Sequence, residues 1–265
     1  MTPEFLARIH HSLHDLETRH DIRVLLAVES GSRAWGFASP DSDYDVRLVY
    51  AHPPAWYLTL DEGRDTIEQP VDDLLDLSGW ELRKFLRLLR AGNATPAEWL
   101  QSPIVYHAAP GAAEVLRALL PATFDPRPIL HHYLGMVRRG VEEDLAGETV
   151  RLKRLFYALR AGLAARWVRR RGTGPPLMLL DLRAELPAEL TTEVDALLAQ
   201  KLISDEKTTV PRPAALTAFL AEEYAAGRAA QADPGAFPRH PPGPDLDAVF
   251  RKLLNAAFSS AFTIH

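Results

Sequence analysis

A glycine–serine pair and two aspartates lie close together in the chain, at a spacing that suits phosphate and metal chemistry. Gly31-Ser32 follows a short apolar run, and ten residues separate Ser32 from Asp43-Tyr44-Asp45. Glycine lets the backbone approach a ligand, adjacent N–H groups can face an anion, and the serine hydroxyl can bond to the same anion. We therefore interpret Gly31-Ser32 as a phosphate-holding turn.

The two aspartates belong to a segment in which polar and apolar residues alternate. This alternation predicts a half-buried strand over residues 43–50. Both carboxylates would then point to one face, with their Cα atoms about 7 Å apart, and would repel each other without a cation between them. Mg²⁺ typically binds one or two carboxylates together with phosphate oxygens. A phosphate-holding turn beside such a pair indicates phosphoryl or nucleotidyl transfer with two metal ions.

These residues must be positioned by the elements around them. Helical spacing predicts a first helix from Pro3 to about residue 20, and a run of β-forming residues predicts a buried strand over 22–29. One or two short strands are expected within 66–77. Ser78 and Glu81 form the pattern of a capping box, which predicts the start of a further helix.

The second half of the chain has a different character, because helical patterns dominate it. They cover residues 111–120, 127–145, 150–171, 190–201, 213–230 and 246–260. The sequence therefore predicts an N-terminal α/β domain over 1–107 and an all-helical domain over 108–265.

Composition restricts the partners and the compartment. The formal net charge is −5, so a nucleic-acid partner would have to meet a local basic patch. The chain has no cysteine, which excludes disulfides and thiolate metal ligands and fits a reducing compartment. It shows no apolar run of about 18 residues and no signal-peptide pattern. We therefore expect a cytoplasmic protein with no membrane partner.

Four longer stretches resemble one bacterial family of DNA polymerase β-like nucleotidyltransferases associated with RNA repair. They are GSRAWGFASPDSDYDVRLVY, DLSGWELRKFLRLL, EWLQSPIVY and KRLFYALRAGLAARW. The first motif is specific, whereas the later ones are family signals without known chemistry. The resemblance covers roughly residues 22–180. It implies an α+β fold in which a small mixed-sheet domain, like the polymerase β palm, precedes a helical domain.

The same resemblance implies three metal-binding carboxylates. It assigns Asp43 and Asp45 to the catalytic metal ions, Mg²⁺ or Mn²⁺, and places the third carboxylate on a later strand. Asp76 is our choice for the third, because it lies in a short apolar run just before a helix. The alternatives are Asp72, Asp73 and Glu81, the last of which already has a role in the capping box.

The implied reaction is attack of an acceptor hydroxyl on the α-phosphate of a nucleoside triphosphate, an NTP such as ATP or a dNTP. Gly31 and Ser32 would hold the β and γ phosphates, and Arg33 would add a charge-assisted contact. The acceptor stays open: an RNA or DNA 3′ end in RNA repair, or a small-molecule or protein hydroxyl that is adenylylated. A non-catalytic nucleotide-binding protein is the alternative from another class.

A basic segment is the second candidate for contacts with these ligands. Eight arginines or lysines and no acid lie within residues 149–180. Such a helix could bind a triphosphate or a nucleic-acid backbone, although most charge runs are solvated helix surface. Lys153 and Arg160 share a helix face, with Tyr157 near it. These three residues are our candidates for contacts with the nucleotide or the acceptor.

Overall fold

The computed structural model describes residues 1–69, 74–237 and 243–259, and its N-terminal part is a five-stranded sheet. The strands are β1 (Arg23–Glu29), β2 (Tyr44–Ala51), β3 (Thr66–Glu68), β4 (Leu75–Glu81) and β5 (Val105–Ala108). Their order is β3-β4-β2-β1-β5. β2 and β4 are parallel and the other neighbours are antiparallel, so the sheet is mixed and the predicted α+β class is confirmed.

Helices cover both faces of this sheet. On one face lies α1 (Pro3–His20), which begins after Thr2, whose side chain accepts a hydrogen bond from Phe5 N. Its apolar side packs on Val46 and Leu48 of β2, which is the buried face predicted by the alternation. The other face is covered by α3 (Leu82–Arg90), α4 (Ala94–Gln101), α5 (Ala112–Arg117) and α12 (Leu246–Phe258). Each fully buried aliphatic side chain there contributes about 1.5–3 kcal/mol.

The remaining helices form the second half of the structure. They are α6 (Leu120–Thr123), α7 (Pro126–Arg139), α8 (Leu152–Arg171), α9 (Leu179–Leu182), α10 (Ala188–Ile203) and α11 (Ala214–Ala232). After α7 the chain continues as a π-type turn, Gly140–Asp144. Within residues 1–69, 74–237 and 243–259, none of the helices has the length and apolar composition needed to span a bilayer.

Two features of this half differ from a purely helical domain that begins at residue 108. A two-stranded ribbon, β6 (Thr149–Arg151) with β7 (Thr209–Pro211), lies among the helices. Its strands are too short to produce a periodic signal in the sequence. In addition, α5 and α12 lie beyond residue 107 but pack on the sheet. The division into 1–107 and 108–265 therefore stays a prediction.

The predicted capping box at Ser78 is wrong. Ser78 lies inside β4, and the helix begins only at Leu82. Glu81 itself is the N-cap, because its carboxylate accepts hydrogen bonds from the backbone N–H groups of Arg83 (2.8 Å) and Lys84 (3.2 Å). Pairing of β4 with β2 continues to Glu81, so a non-local contact outweighs the local capping pattern.

Candidate active site

The glycine turn after β1 is shaped by the carboxylate of Asp45. The chain enters a short helix, α2 (Gly31–Trp35), with Gly31 at a φ of +62°. A Cβ on Gly31 would lie 2.2 Å from Oδ2 of Asp45. Glycine is needed here for two reasons, because side chains disfavour this backbone conformation and because the space is taken by the aspartate.

The three predicted carboxylates belong to the same end of strands β2 and β4. Asp43 directly precedes β2, and the Cα partner of Asp45 in the parallel pairing is Asp76 of β4. Burial raises the pKa of the Asp45 carboxyl; Arg47 and Lys153 lower it, and the charges of Asp76 and Asp43 raise it. The negative charges therefore act on one another, as expected for a site that favours a cation.

Arg47 supplies positive charge between two of these carboxylates. Its Nη2 is 3.0 Å from Oδ1 of Asp45 and 2.7 Å from Oδ2 of Asp76. Its Nη1 also donates to the backbone carbonyl of Asp76, at 3.0 Å. Arg47 thus holds the two strands together at the point where the carboxylates meet, and it partly neutralises them.

The alternatives for the third carboxylate lie elsewhere. Glu81 pairs with Tyr50 at the opposite end of the same two strands and caps α3. Asp72 and Asp73 lie outside the described residues. Of the candidates that the structure describes, Asp76 is therefore the one beside Asp45, and its role as a metal ligand stays a prediction.

The donor set at this end of the strands fits a hard divalent ion. No group of three or more Asp, Glu or His side chains converges as a ready metal cage in the part of the chain that the structure describes. A Mg²⁺ site built from one or two carboxylates plus substrate phosphates does not need such a cage. Asp43 and Asp45, beside a turn with anion-binding groups, provide that smaller set.

Glu29 is a residue of this site whose role the sequence left open. It lies at the end of β1 with 0% exposure, and burial raises its pKa to about 7. Its Oε1 accepts a hydrogen bond from the backbone N–H of Asp45 at 2.8 Å, and its Oε2 accepts one from the hydroxyl of Tyr106. The buried Glu29 carboxylate therefore holds the backbone of Asp45 in place. The sequence signal was a charged residue at the end of an apolar strand.

Arg33 stabilises the loop that leads into β2. Its Nε donates to the carbonyl of Asp43 at 3.0 Å, and Nη2 donates to the carbonyl of Ser42. Its guanidinium also lies 3.8 Å from the centroid of the Tyr44 ring. The structure thus gives Arg33 a positioning role for the aspartate segment, and its contact with phosphate stays a prediction.

The predicted phosphate side of the site holds an acidic residue from far along the chain. Glu206 lies in the loop between α10 and β7. Its carboxylate accepts a hydrogen bond from the Ser42 hydroxyl at 2.8 Å and forms an ion pair with Lys153 Nζ at 2.6 Å. Ser32 Oγ lies 3.4 Å from Ser42 Oγ. Ser42 and Lys153 thus converge on one anionic group, next to Ser32. Sequence reasoning found Ser32 and Lys153 but missed Ser42 and Glu206.

Tyr157 lies within range of the charges of both the anion site and the carboxylates. Burial raises the pKa of its hydroxyl, and the charges of Asp45 and Glu206 raise it further. Its ring packs edge-on against Trp35, with 4.9 Å between the centroids. Trp35 is itself buried in the helical core, so its ring packs within the fold.

The prediction that Arg160 contacts the nucleotide is not supported by its position. Its side chain is 1% exposed and bonds to Glu98 (Nη1–Oε1, 3.0 Å) and to the carbonyl of Leu177 (Nε–O, 2.8 Å). The guanidinium also lies 4.3 Å from the Trp35 ring centroid. Arg160 does share a helix face with Lys153, but α8 is buried on most sides beyond its first turn. On this one face, Lys153 therefore lies at the site, whereas Arg160 lies in the core.

We expect Lys153→Met and Arg160→Met to affect different properties. Lys153→Met should raise the KM for triphosphate about 10- to 100-fold, the size of one charge-assisted hydrogen bond, with little loss of stability. Arg160→Met should lower the free energy of unfolding by about 3–5 kcal/mol, because Glu98 keeps a buried charge without its partner. Urea unfolding and steady-state kinetics on both variants test this. A raised KM with unchanged stability in Arg160→Met would contradict it.

Two buried glutamates pair with the four arginines at the end of α8. Glu223 pairs with Arg166 and, at 2.7 Å, with Arg169. Glu185 pairs with Arg170 at 3.3 Å and with Arg171 at 2.7 Å. These pairs use part of the positive charge within the fold, and the polyanion-binding face stays a prediction for this end of the helix.

His132, beside the Arg160–Glu98 pair, predicts a pH dependence of stability. Burial lowers its pKa, while Glu98 raises it and Arg160 lowers it again. The unfolded chain takes up this proton near pH 6.5, whereas the folded chain resists it. The free energy of unfolding should therefore fall as the pH drops below about 6.5.

His132→Asn should remove this component, and His131→Asn, at the exposed neighbouring position, should keep it. Urea titrations between about pH 5 and 8 measure the slope. Identical slopes in the wild type and in His132→Asn would show that His132 is not its source.

The fold and the site together define a class, the polymerase β-like nucleotidyltransferases. The model of the RNA repair pathway DNA polymerase beta family matches residues 6–252. The chain therefore belongs to this family.

Two individual proteins are also similar to the chain. The protein YcgL of Bacillus subtilis (strain 168) is 44% identical over 218 residues, which are 82% of this chain and 84% of that protein. A crystal structure of a nucleotidyltransferase-like protein from Exiguobacterium sibiricum aligns with a TM-score of 0.32 at 12% identity. The alignment covers 83% of this chain and 73% of that one.

Proposed function

We propose that the protein is a metal-dependent nucleotidyltransferase that transfers a nucleoside monophosphate from an NTP or dNTP to the 3′ hydroxyl of a nucleic acid in RNA repair. The observation that carries the proposal is the placement of Asp45. Its carboxylate fills the space beside Gly31 and lies in register with Asp76. An anion site formed by Ser42 and Lys153 adjoins it.

The carboxylates are proposed to bind the catalytic metal ions. Asp43, Asp45 and Asp76 would hold Mg²⁺ or Mn²⁺, and bound metal would lower the pKa of the attacking hydroxyl and neutralise charge on pyrophosphate. In the reaction, the hydroxyl oxygen bonds to the α-phosphorus and its proton passes to water. Pyrophosphate leaves with the electrons of the broken P–O bond.

The anion site is proposed to bind the outer phosphates. Lys153 and Ser42 already bind a carboxylate, that of Glu206, and their donors suit phosphate oxygens equally well. Gly31, Ser32 and Arg33 would contact the phosphates from the turn next to Ser42, and Tyr157 would contact the nucleotide or the acceptor. Glu29 keeps Asp45 in place from the interior of the sheet.

Incubation with labelled triphosphates tests the proposal. Each of the four NTPs and dNTPs is supplied with Mg²⁺ or Mn²⁺ and with RNA, DNA or no acceptor. We expect label on the nucleic-acid 3′ end and release of pyrophosphate. Label on a small molecule or on protein would show that the acceptor is not a nucleic acid. Nucleotide binding without any pyrophosphate release would contradict the proposed enzymatic activity.

A further inference from the structure

A row of arginines lies on the outer side of α3, in and directly after the motif DLSGWELRKFLRLL. Arg83, Arg87 and Arg90 recur at helical spacing and, with Leu246 and Phe250 of α12, line a groove of about 240 Å³. Arg87 and Arg90 are exposed. Neither has an acidic partner among the described residues. The motif has had no chemistry assigned so far.

This row differs from other arginine clusters of the described chain because Arg87 and Arg90 form no ion pair with a described residue. The arginines at the end of α8 pair with Glu185 and Glu223. Arg138 and Arg139 on α7 pair with acids one turn away. Asp247 is the acid among the groove's lining residues, against the three arginines. Beyond Phe250, α12 continues with the exposed cations Arg251 and Lys252. The groove thus has an excess of positive charge in a chain whose net charge is −5.

The geometry of the row suits a phosphate backbone. From Arg83 to Arg90 the helix rises about 10 Å, a length that can meet more than one phosphate of a single strand. Guanidinium groups bind phosphate oxygens in a bidentate fork. Arg83 is held over the rings of Trp56 (5.8 Å) and Tyr57 (5.4 Å), which fixes one end of the row.

We propose that the groove between α3 and α12 binds the backbone of the single-stranded polynucleotide whose end is the acceptor. The inference rests on the proposed function, because it gives a path to that acceptor. The Arg90 end of the row is followed by α4, and Ala94 of α4 belongs to the same packed cluster as Ala34 and Trp35 of α2. Helix α4 therefore links the Arg90 end of the row, through this shared core, with the helix that begins at the glycine turn.

Fluorescence anisotropy with the full chain tests the groove without triphosphate or metal. The probes are labelled single strands of RNA and of DNA about 16 nucleotides long, with polyglutamate as a polyanion without phosphate. The test variant is Arg87→Glu with Arg90→Glu. If this charge reversal prevents folding, the milder variant Arg87→Gln with Arg90→Gln is used instead. The matched control is Arg19→Glu with Arg228→Glu, two exposed arginines on α1 and α11.

The wild type should bind RNA or DNA more tightly than polyglutamate, and the two strands show which backbone is preferred. Charge reversal on α3 should weaken binding at least about tenfold and reduce the slope of log affinity against log salt by about 1.4, two lost contacts on a single strand. The control should bind like the wild type, and triphosphate affinity should be unchanged in all variants.

Four results would overturn the groove: no binding of either strand, unaltered binding in the α3 variants, equal loss in the control, or equally tight binding of polyglutamate. Failure of the groove and failure of the enzyme are distinguishable. Polynucleotide binding without nucleotide transfer contradicts the catalytic proposal alone. Transfer to a 3′ end with unaltered binding in the α3 variants contradicts the groove alone.

Discussion

Asp45→Asn is expected to reduce nucleotide transfer at least about 1,000-fold, since several kcal/mol of transition-state stabilisation by the metal would be lost. Asparagine keeps the size of the side chain beside Gly31 but cannot supply the negative charge. Stability should change little. Burial raises the pKa of Asp45, which means that the folded state disfavours the charged carboxylate that the substitution removes.

Transfer rates and urea unfolding, measured on the same preparations, separate these two effects. Asp43→Asn should behave similarly. Asp61→Asn removes an aspartate at an exposed position and should leave transfer unchanged. Near-normal transfer in Asp45→Asn would show that the carboxylate pair does not hold the catalytic metal.

Gly31→Ala should disable the same site by a different route. The new Cβ would lie 2.2 Å from Oδ2 of Asp45, so the carboxylate or the turn must move. A displacement of about 1 Å in a reacting group can lower the rate about 100-fold. Crowding of a packed site costs a further 1–3 kcal/mol or so, beyond the roughly 1–2 kcal/mol for a side chain at positive φ.

Gly172→Ala is the matched control for this variant. Gly172 has nearly the same backbone conformation, with a φ of +63°, but a Cβ there meets nothing within 4 Å. It should show the conformational cost without loss of transfer. If both alanine variants lost the same stability and kept full activity, the contact between Gly31 and Asp45 would have no role in catalysis.

The strands that carry the aspartates could be predicted because one face of the sheet is buried. Burial under α1 imposes a period of two on the side chains of β2, and this period is visible in the sequence. The predicted strand over 43–50 agrees with Tyr44–Ala51 to within a residue. The alignment of Asp45 with Asp76 depends instead on parallel pairing between distant strands, which local patterns do not encode.

The residues that sequence reasoning missed or misplaced share a dependence on distant contacts. Glu206 reaches Ser42 across 164 residues of chain, from a loop without any periodic signal. For Arg160, helical spacing correctly predicts that it shares a helix face with Lys153. It does not predict that the Arg160 side chain is buried. Gly31 was interpreted as a residue that approaches a phosphate, whereas the structure shows its contact with Asp45.

The long helix α8 has a mechanical consequence for the anion site at its first turn. It has 20 residues, about 30 Å of length, and its last turns are fixed by Glu185 and Glu223. Near its middle, Gly162 lets Leu220 of α11 approach within van der Waals range. A rod clamped at its far end and along its side cannot tilt independently. Ion pairs at the far end of the helix therefore help to hold its first turn, from which the Lys153 side chain reaches Glu206. Loosening these remote pairs would let that turn shift and would weaken the alignment of the lysine.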